Sequence, residues 1–463
     1  MKKLLIYVLF IVISSLAAKA QYADLFDFSG KDGVNPEGSL IYDGKFLYGI
    51  CYGGVNNDGV IFRIKPDGTG DTNLHNLDSL DGKVPLGTLF TDGNYLYGVT
   101  QQGGIKNNGV VFRIKPNGTG DTILHYFDSI DGRWPEYEVL ISDGTYLYGT
   151  TWYGGKYGNG VVFRIKTNGT AYSDIHDFDS TDGIESEGTL YYDGNYLYGM
   201  TWYGGKYNLG VVFRMKPDGT GDTSLLDFNG ANGSHSHAGP LISDGKYLYG
   251  MTVGGGKYNE GVVFRIKPDG TADTILHNFS YTSTDGGNPS GGLLLYDSYL
   301  YGMTPGGGTI SSGVIFRMKT DGTRDTILHD FVNASGTGPD GSLILVNNAL
   351  YGLTQDEGAH TDGVIFKYVD SAIINSVNEL PVEANVVKVY PNPGKGVFIL
   401  EQSAEKQKEE IEIYNVLGQK IFQHSFSALR TTLDLSGQPA DIYFYRIISE
   451  KGDFIASGKL IKE

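Results

Sequence analysis

The sequence predicts an all-β chain in two parts, a closed ring of seven four-stranded units followed by a small β-sandwich. Three observations carry that prediction. Leu-Tyr-Gly recurs at Leu47, Leu96, Leu147, Leu197, Leu248, Leu300 and Leu350, and Gly-Val-(Val/Ile)-Phe at Gly59, Gly109, Gly160, Gly210, Gly261, Gly313 and Gly363, both stepping by about 50 residues. Asp-Gly and Asn-Gly dipeptides, which accept the positive φ of tight hairpin turns, separate short runs rich in β-branched and aromatic residues. No sustained 3.6-residue apolar period follows the first twenty residues.

The fourth copy displays the unit. Thr189 to Tyr192 reads as a short first strand, Asp193-Gly194-Asn195 as a tight turn, and Tyr196 to Trp202 as the second strand. Gly204 to Gly210 is a loop, Val211 to Lys216 the third strand, Pro217-Asp218-Gly219-Thr220 a second turn, and Thr223 to Phe228 the fourth strand. Four antiparallel strands at this period fit a β-propeller blade better than a solenoid coil. The seventh copy stops near Tyr368 without a counterpart of Thr326 to Phe331, while Ala23 to Phe28 supplies one ahead of the first copy. The expectation is a seven-bladed β-propeller over residues 21–370, its last blade completed by the N-terminal strand so that no edge stays open.

The diglycine after the second strand, at this period, resembles kelch-type propellers. The fuller phrase LYGMT..GG....GVVFRIKPDGT.DTILH.F resembles the secreted tandem-repeat family of GloVer repeats, over roughly three quarters of the chain. That resemblance implies an architecture and brings no activity with it.

Both ends read as export signals. Lys2 and Lys3, the apolar run Leu4 to Leu16 and the small residues around Ala18 and Ala20 make residues 1–20 a secretory signal peptide. Residues 371–385 read as a linker. Beyond it, the runs at Val387, Gly396, Ile411, Leu417, Leu433 and Ile442 suggest a small Ig-like antiparallel sandwich over 386–463. That segment, with Val387-Lys388-Val389-Tyr390-Pro391-Asn392-Pro393 and Ile442-Tyr443-Phe444-Tyr445, resembles the type A C-terminal sorting domain of type IX secretion (T9SS). Asp441 stands where that family commonly has Gly before Ile-Tyr. The resemblance implies passage through the periplasm and recognition of residues 386–463 by the type IX machinery, then release or attachment to surface lipopolysaccharide after removal of the domain.

Composition narrows the partners. The formal charge of -17 becomes about -20 without Lys2, Lys3 and Lys19 (-17 - 3), and no basic block offsets it, which disfavours nucleic acid and anionic lipid. No segment is long and apolar enough for a transmembrane helix. Cys51 is the only cysteine and stands where other copies have Thr, so it reads as a small buried residue.

Residues repeated in every copy are first scaffold residues. His75, His125, His176, His277 and His329 recur in the fourth strand and read as structural; Arg63 and its equivalents read as solvated or bridging between units. Loops such as Asp128 to Gly132 and Asp179 to Gly183 lack the ligand spacing of a calcium loop, so turn chemistry accounts for them and no metal or cofactor is expected.

Departures from the repeat point elsewhere. The second-to-third-strand loops and the connections between units share one face, and all three tryptophans fall there: Trp134, Trp152 and Trp202. Tyr153, Tyr203, Glu136, Glu185, His235 and His237 join them as candidate ligand-binding residues, with Glu138, Glu187, Tyr157 and Tyr207 nearby. Aromatic faces beside a few polar groups suit a sugar ring or a protein partner. Paired glutamates also leave a glycosidase or lyase open, and His-x-His two metal ligands without a third. G-x-S-x-G, P-loop, zincin and sialidase boxes are absent, so no catalytic residue is assigned and a binding module is preferred to an enzyme or a purely structural envelope protein.

Overall fold

The computed structural model describes residues 21–137, 139–186, 188–237, 239–373, 387–402, 409–415, 420–449 and 454–463. The signal segment 1–20, nearly all of the expected linker, Glu138, Glu187 and the run at Leu417 lie outside the described residues. The chain divides into two compact units, Met1–Ile374 and Asn375–Glu463.

The first unit contains, among the described residues, seven four-stranded antiparallel sheets, six of them with strands in simple sequence order. In the fourth, the strands are Tyr191–Tyr192, Leu197–Met200, Val211–Met215 and Thr223–Asp227. Each is shorter than the sequence suggests, because the flanking residues turn into side-chain-bonded loops. The seventh sheet takes its fourth strand from the other end of the chain: Gln21–Asp27 pairs antiparallel with Val364–Val369. A register shift breaks that pairing between Asp24 and Phe26, as one breaks the same strand pair in the other six sheets, for example at Val212/Phe213. The N-terminal strand therefore reproduces the local bulge as well as the position of a missing fourth strand.

The two recurring phrases need each other. A Cβ on Gly199 would lie 2.4 Å from the tip of the Phe213 ring, and Gly49, Gly98 and Gly352 face Phe62, Phe112 and Phe366 in the same way. The glycine of Leu-Tyr-Gly makes room for the phenylalanine of the neighbouring strand, which is fully buried. The tyrosine serves the turn: Tyr198 donates to Asp193 at 2.9 Å, and Tyr48, Tyr97, Tyr148 and Tyr249 bond their own turn aspartates at 2.7–2.8 Å. Burial and the adjacent carboxylate raise these phenols, while backbone N–H groups at the turn hold Asp193's counterparts such as Asp143 below the usual carboxylate range.

Packing joins neighbours in a cycle. One apolar cluster combines Tyr48 and Ile61 of the first sheet with Leu96 and Phe112 of the second, and similar clusters join each following pair. The last pair is the seventh sheet against the first, through Tyr351, Leu353 and Ile365 packed on Leu47, Phe62 and Ile64. The repeated arginines also cross these boundaries: Arg164 donates to Pro217 O at 3.1 Å and Arg214 to Pro268 O at 2.8 Å. Their role is bridging.

The second unit holds a three-stranded sheet, Val387–Tyr390, Val397–Gln402 and Arg430–Asp434, and a four-stranded sheet of Lys420–Phe426, Glu409–Tyr414, Ile442–Ser449 and Phe454–Ile461. Phe398, Leu400, Ile411, Ile413, Leu433 and Ile447 from both sheets form one buried core. Asp441 accepts from the Ile442 N–H at 2.7 Å, a turn bond that glycine could not make.

Candidate loop-face site

Each connection between sheets holds a left-handed residue at one equivalent position: Asn35, Val84, Trp134, Glu185, His235 and Asn288, with φ of 46–58°, and Gly338. The amide of each donates across the sheet boundary, from Trp134 to Asn108 O, Glu185 to Asn159 O, His235 to Leu209 O, and, closing the cycle, Asn35 to Asp362 O at 3.0 Å. Trp134, Glu185 and His235 are thus equivalent positions of three successive connections. Their carbonyls in turn accept the amides of Trp152, Trp202 and Val253. The Trp-Tyr pairs are fixed by backbone bonds, and Gly204 follows because a Cβ there would meet the Gly183 backbone at 2.7 Å.

The rings gather in two groups. Trp152 stacks on Tyr153 with centroids 5.1 Å apart, Trp134 meets Tyr153 edge-on at 5.7 Å, and the Arg133 guanidinium lies over both Trp134 and Tyr153. Trp202 contacts Tyr203, His235 and His237 at 6.2, 5.3 and 5.5 Å. Tyr137 lies 4.5 Å from His237 and connects the second group to the inner end of the connections. All three tryptophans are half-buried, Tyr203 is more open, and Tyr157 and Tyr207 are exposed beyond them under Lys156 and Lys206.

Two residues on from six of these seven positions lie Glu37, Leu86, Glu136, His237, Ser290 and Asp340. A void of about 20 Å³, room for one water, is lined by Glu37, Leu86, Tyr137, Pro240, Gly291 and Gly341, residues drawn from connections all along the first unit. Glu136 is 7% exposed; Gln101 donates to its Oε1, and its Oε2 is buried without a partner. Gln355 likewise donates to Glu37 Oε1 at 2.7 Å, leaving Oε2 buried and unpartnered. Burial, then Glu37 and Glu185, pushes Glu136 up to about 8; burial, then Asp340, pushes Glu37 up to about 7. Burial and Glu185 raise the Tyr153 phenol to about 12, and burial holds His235 and His237 below the ordinary imidazole range. The indole N–H of Trp152 is also buried with no acceptor.

The structure therefore brings together Trp134, Trp152, Tyr153, Glu136 and Glu185, and separately Trp202, Tyr203, His235 and His237. Glu37, Tyr137 and Arg133 belong to the same surface and escape sequence reasoning. Aligning the connections would have found Tyr137, which stands where Gly38, Gly87, Gly188, Gly291 and Gly341 stand in other copies.

The chain matches the Gloeobacter/Verrucomicrobia repeat family over residues 11–146, 123–280 and 223–380. It belongs to that family. Residues 388–463 match the secretion system C-terminal sorting domain, which directs this repeat protein through the type IX machinery to the cell surface or extracellular space. Among the described residues no helix is long and apolar enough to cross a membrane. A search of curated proteins gives no match. Among solved structures, the chain is similar to the extracellular domain of the putative hybrid two-component system BT4673 from B. thetaiotaomicron, at 13% identity and TM-score 0.48, covering 96% of this chain and 58% of that one. It is similar to Trypanosoma rangeli sialidase in complex with the inhibitor DANA at 9% identity and TM-score 0.42, covering 96% and 89%. A DUF3244 family protein with an immunoglobulin-like β-sandwich fold from Bacteroides vulgatus matches at 16% identity and TM-score 0.16, covering 17% and 85%.

Proposed function

We propose that the first unit is a closed seven-bladed propeller acting as an exported glycan-binding module, and that the second is an Ig-like sorting sandwich. The cyclic packing of the seven sheets and the Asn35 to Asp362 bond support the first architecture. The binding reading rests on one observation: the loop face holds three buried polar atoms without partners, Glu136 Oε2, Glu37 Oε2 and Trp152 Nε1, beside half-buried aromatic rings. An unmet buried donor or acceptor costs about 1–3 kcal/mol, so a ligand that meets it gains that amount in binding. A hydroxyl both donates to a carboxyl oxygen and accepts from an indole, and a sugar offers several hydroxyls beside a flat C–H face. Attachment of the mature unit to surface lipopolysaccharide after loss of residues 386–463 is part of the same proposal.

The test is a glycan array with the full chain and with Trp152→Ala/Trp202→Ala. The parent should bind a carbohydrate and the double variant should lose at least tenfold, about 1.4 kcal/mol. Equal binding by the two proteins removes the site; capture only of proteins moves the reading to a protein partner. A second reading, glycoside hydrolysis, is favoured by Glu136, whose raised carboxyl keeps its proton at neutral pH as a general acid requires. It predicts product from a polysaccharide panel that disappears in Glu136→Gln.

A further inference from the structure

The five strand-four histidines are treated in two ways by the next sheet. The residue of the following copy equivalent to Asp121 lies against each ring, and it is aspartate at three of the histidines and tyrosine at two. Tyr172 stacks flat on His125 at 3.8 Å, and Tyr22 on His329 at 4.0 Å. At His75, His176 and His277 the same place holds Asp121, Asp222 and Asp325, and a loop aspartate, Asp81, Asp182 or Asp285, adds a second carboxylate. In each of the three groups one nitrogen and two carboxylate oxygens lie within 4.8 Å of one another.

The loop carboxylates are set in advance. Asp182 Oδ1 accepts the Asp179 amide at 2.8 Å and Asp285 Oδ2 the Ser280 amide at 2.9 Å, which leaves the other oxygen turned to the ring. His176 Nε2 lies 3.1 Å from Asp182 Oδ2, poorly aligned for a hydrogen bond. Asp222 Oδ1 is buried without a partner. A poorly aligned ring nitrogen and an unpartnered carboxylate oxygen beside a third, fixed carboxylate offer three converging ligand atoms to a cation. Ligands about 2.1 Å from a metal stand about 3.0–3.4 Å apart, so 3.1 Å fits one edge of a coordination shell.

We propose that His176, Asp182 and Asp222 bind a divalent transition-metal ion of the Zn²⁺ type across the boundary between the third and fourth sheets. His75, Asp81 and Asp121, and His277, Asp285 and Asp325, form equivalent sites at alternate boundaries. One imidazole with two carboxylates suits zinc or manganese better than calcium, which takes oxygen ligands. At His75 and His277 the ring already bonds its loop aspartate at 2.7 and 3.0 Å, and His277 Nδ1 approaches Asp325 at 3.3 Å, so a metal there displaces the ring proton and binds more weakly at low pH. The fourth boundary supplies an internal control: Leu226 replaces the histidine, and Asp273 lies near Asn232 instead.

The experiment is elemental analysis and calorimetric titration of the chelator-stripped full chain with Zn²⁺, Mn²⁺ and Ca²⁺. The expected result is one to three zinc equivalents, one fewer in Asp222→Asn, none in Asp121→Asn/Asp222→Asn/Asp325→Asn, and no change in Asp273→Asn. Near-UV circular dichroism of each variant shows that it is folded. No zinc uptake by the parent, unchanged stoichiometry in the folded triple variant, or equal loss in Asp273→Asn would overturn the proposal.

Discussion

The two ends of the repeat are built from the same backbone and treated in opposite ways. At the turn end, five copies use one solution, a buried tyrosine hydroxyl bonded to the aspartate of its own hairpin. At the loop end, equivalent positions carry Gln101 over Glu136, Trp202 over His237 and Gln355 over Glu37. At the first end the tyrosines and aspartates satisfy one another, although the Nε of the bridging arginines is buried there without an acceptor; the second end buries carboxyl oxygens and an indole that find no partner. A uniform end is explained by stability alone, and under the binding proposal it is the uneven end that selects the ligand.

That contrast can be broken by mutation. Tyr198→Ala empties a fully buried site and should destabilise by about 3–5 kcal/mol with ligand affinity per folded molecule unchanged. Urea unfolding followed by tryptophan fluorescence measures it, because all three tryptophans lie in the first unit. Loss of affinity without loss of stability would remove the distinction between the ends.

Glu136→Gln should act in the opposite sense. The folded carboxyl, at about 8, holds its proton more tightly than the unfolded one near 4.5, so the stability this group contributes is full below pH 4.5 and falls as pH rises to about 8. The variant should lack that decline and exceed the parent by about 2–4 kcal/mol at pH 9, read as melting temperature against pH. A parallel decline in both proteins would show that Glu136 is not the titrating group. The smallest effect is expected from Tyr198→Phe, about 1 kcal/mol for one hydrogen bond, with no change at the loop face.

The sequence makes the scaffold legible because its constraints are local and repeated. Gly199 opposite Phe213 and Tyr198 beside Asp193 leave a period that can be counted without coordinates. Strand ends are less legible: Trp202 sits past the end of its strand because its amide is taken by Glu185, a bond between connections that no pattern announces. The aromatic candidates are visible as departures, and the structure divides them into two groups. Glu37, from the first connection, reaches Gln355 of the seventh copy, a contact 318 residues apart in sequence that no local pattern announces. Whether aspartate or tyrosine stands against a histidine changes from copy to copy at a position that reads, in sequence, as ordinary variation beside a turn.

The pairing of Gln21–Asp27 with Val364–Val369 has a kinetic consequence. The other strands of the seven sheets find their partners within their own copy, a local search with a small loop-closure cost. The N-terminal strand can be placed only after the seventh copy exists, so a strand made before every copy is the last to dock. Until then the third strand of the seventh sheet presents an unpaired edge, the feature by which chains associate wrongly. An excess of free Gln21–Phe28 peptide during refolding should therefore compete for that edge and trap an open form, while the same peptide added to the closed chain should find no place to bind.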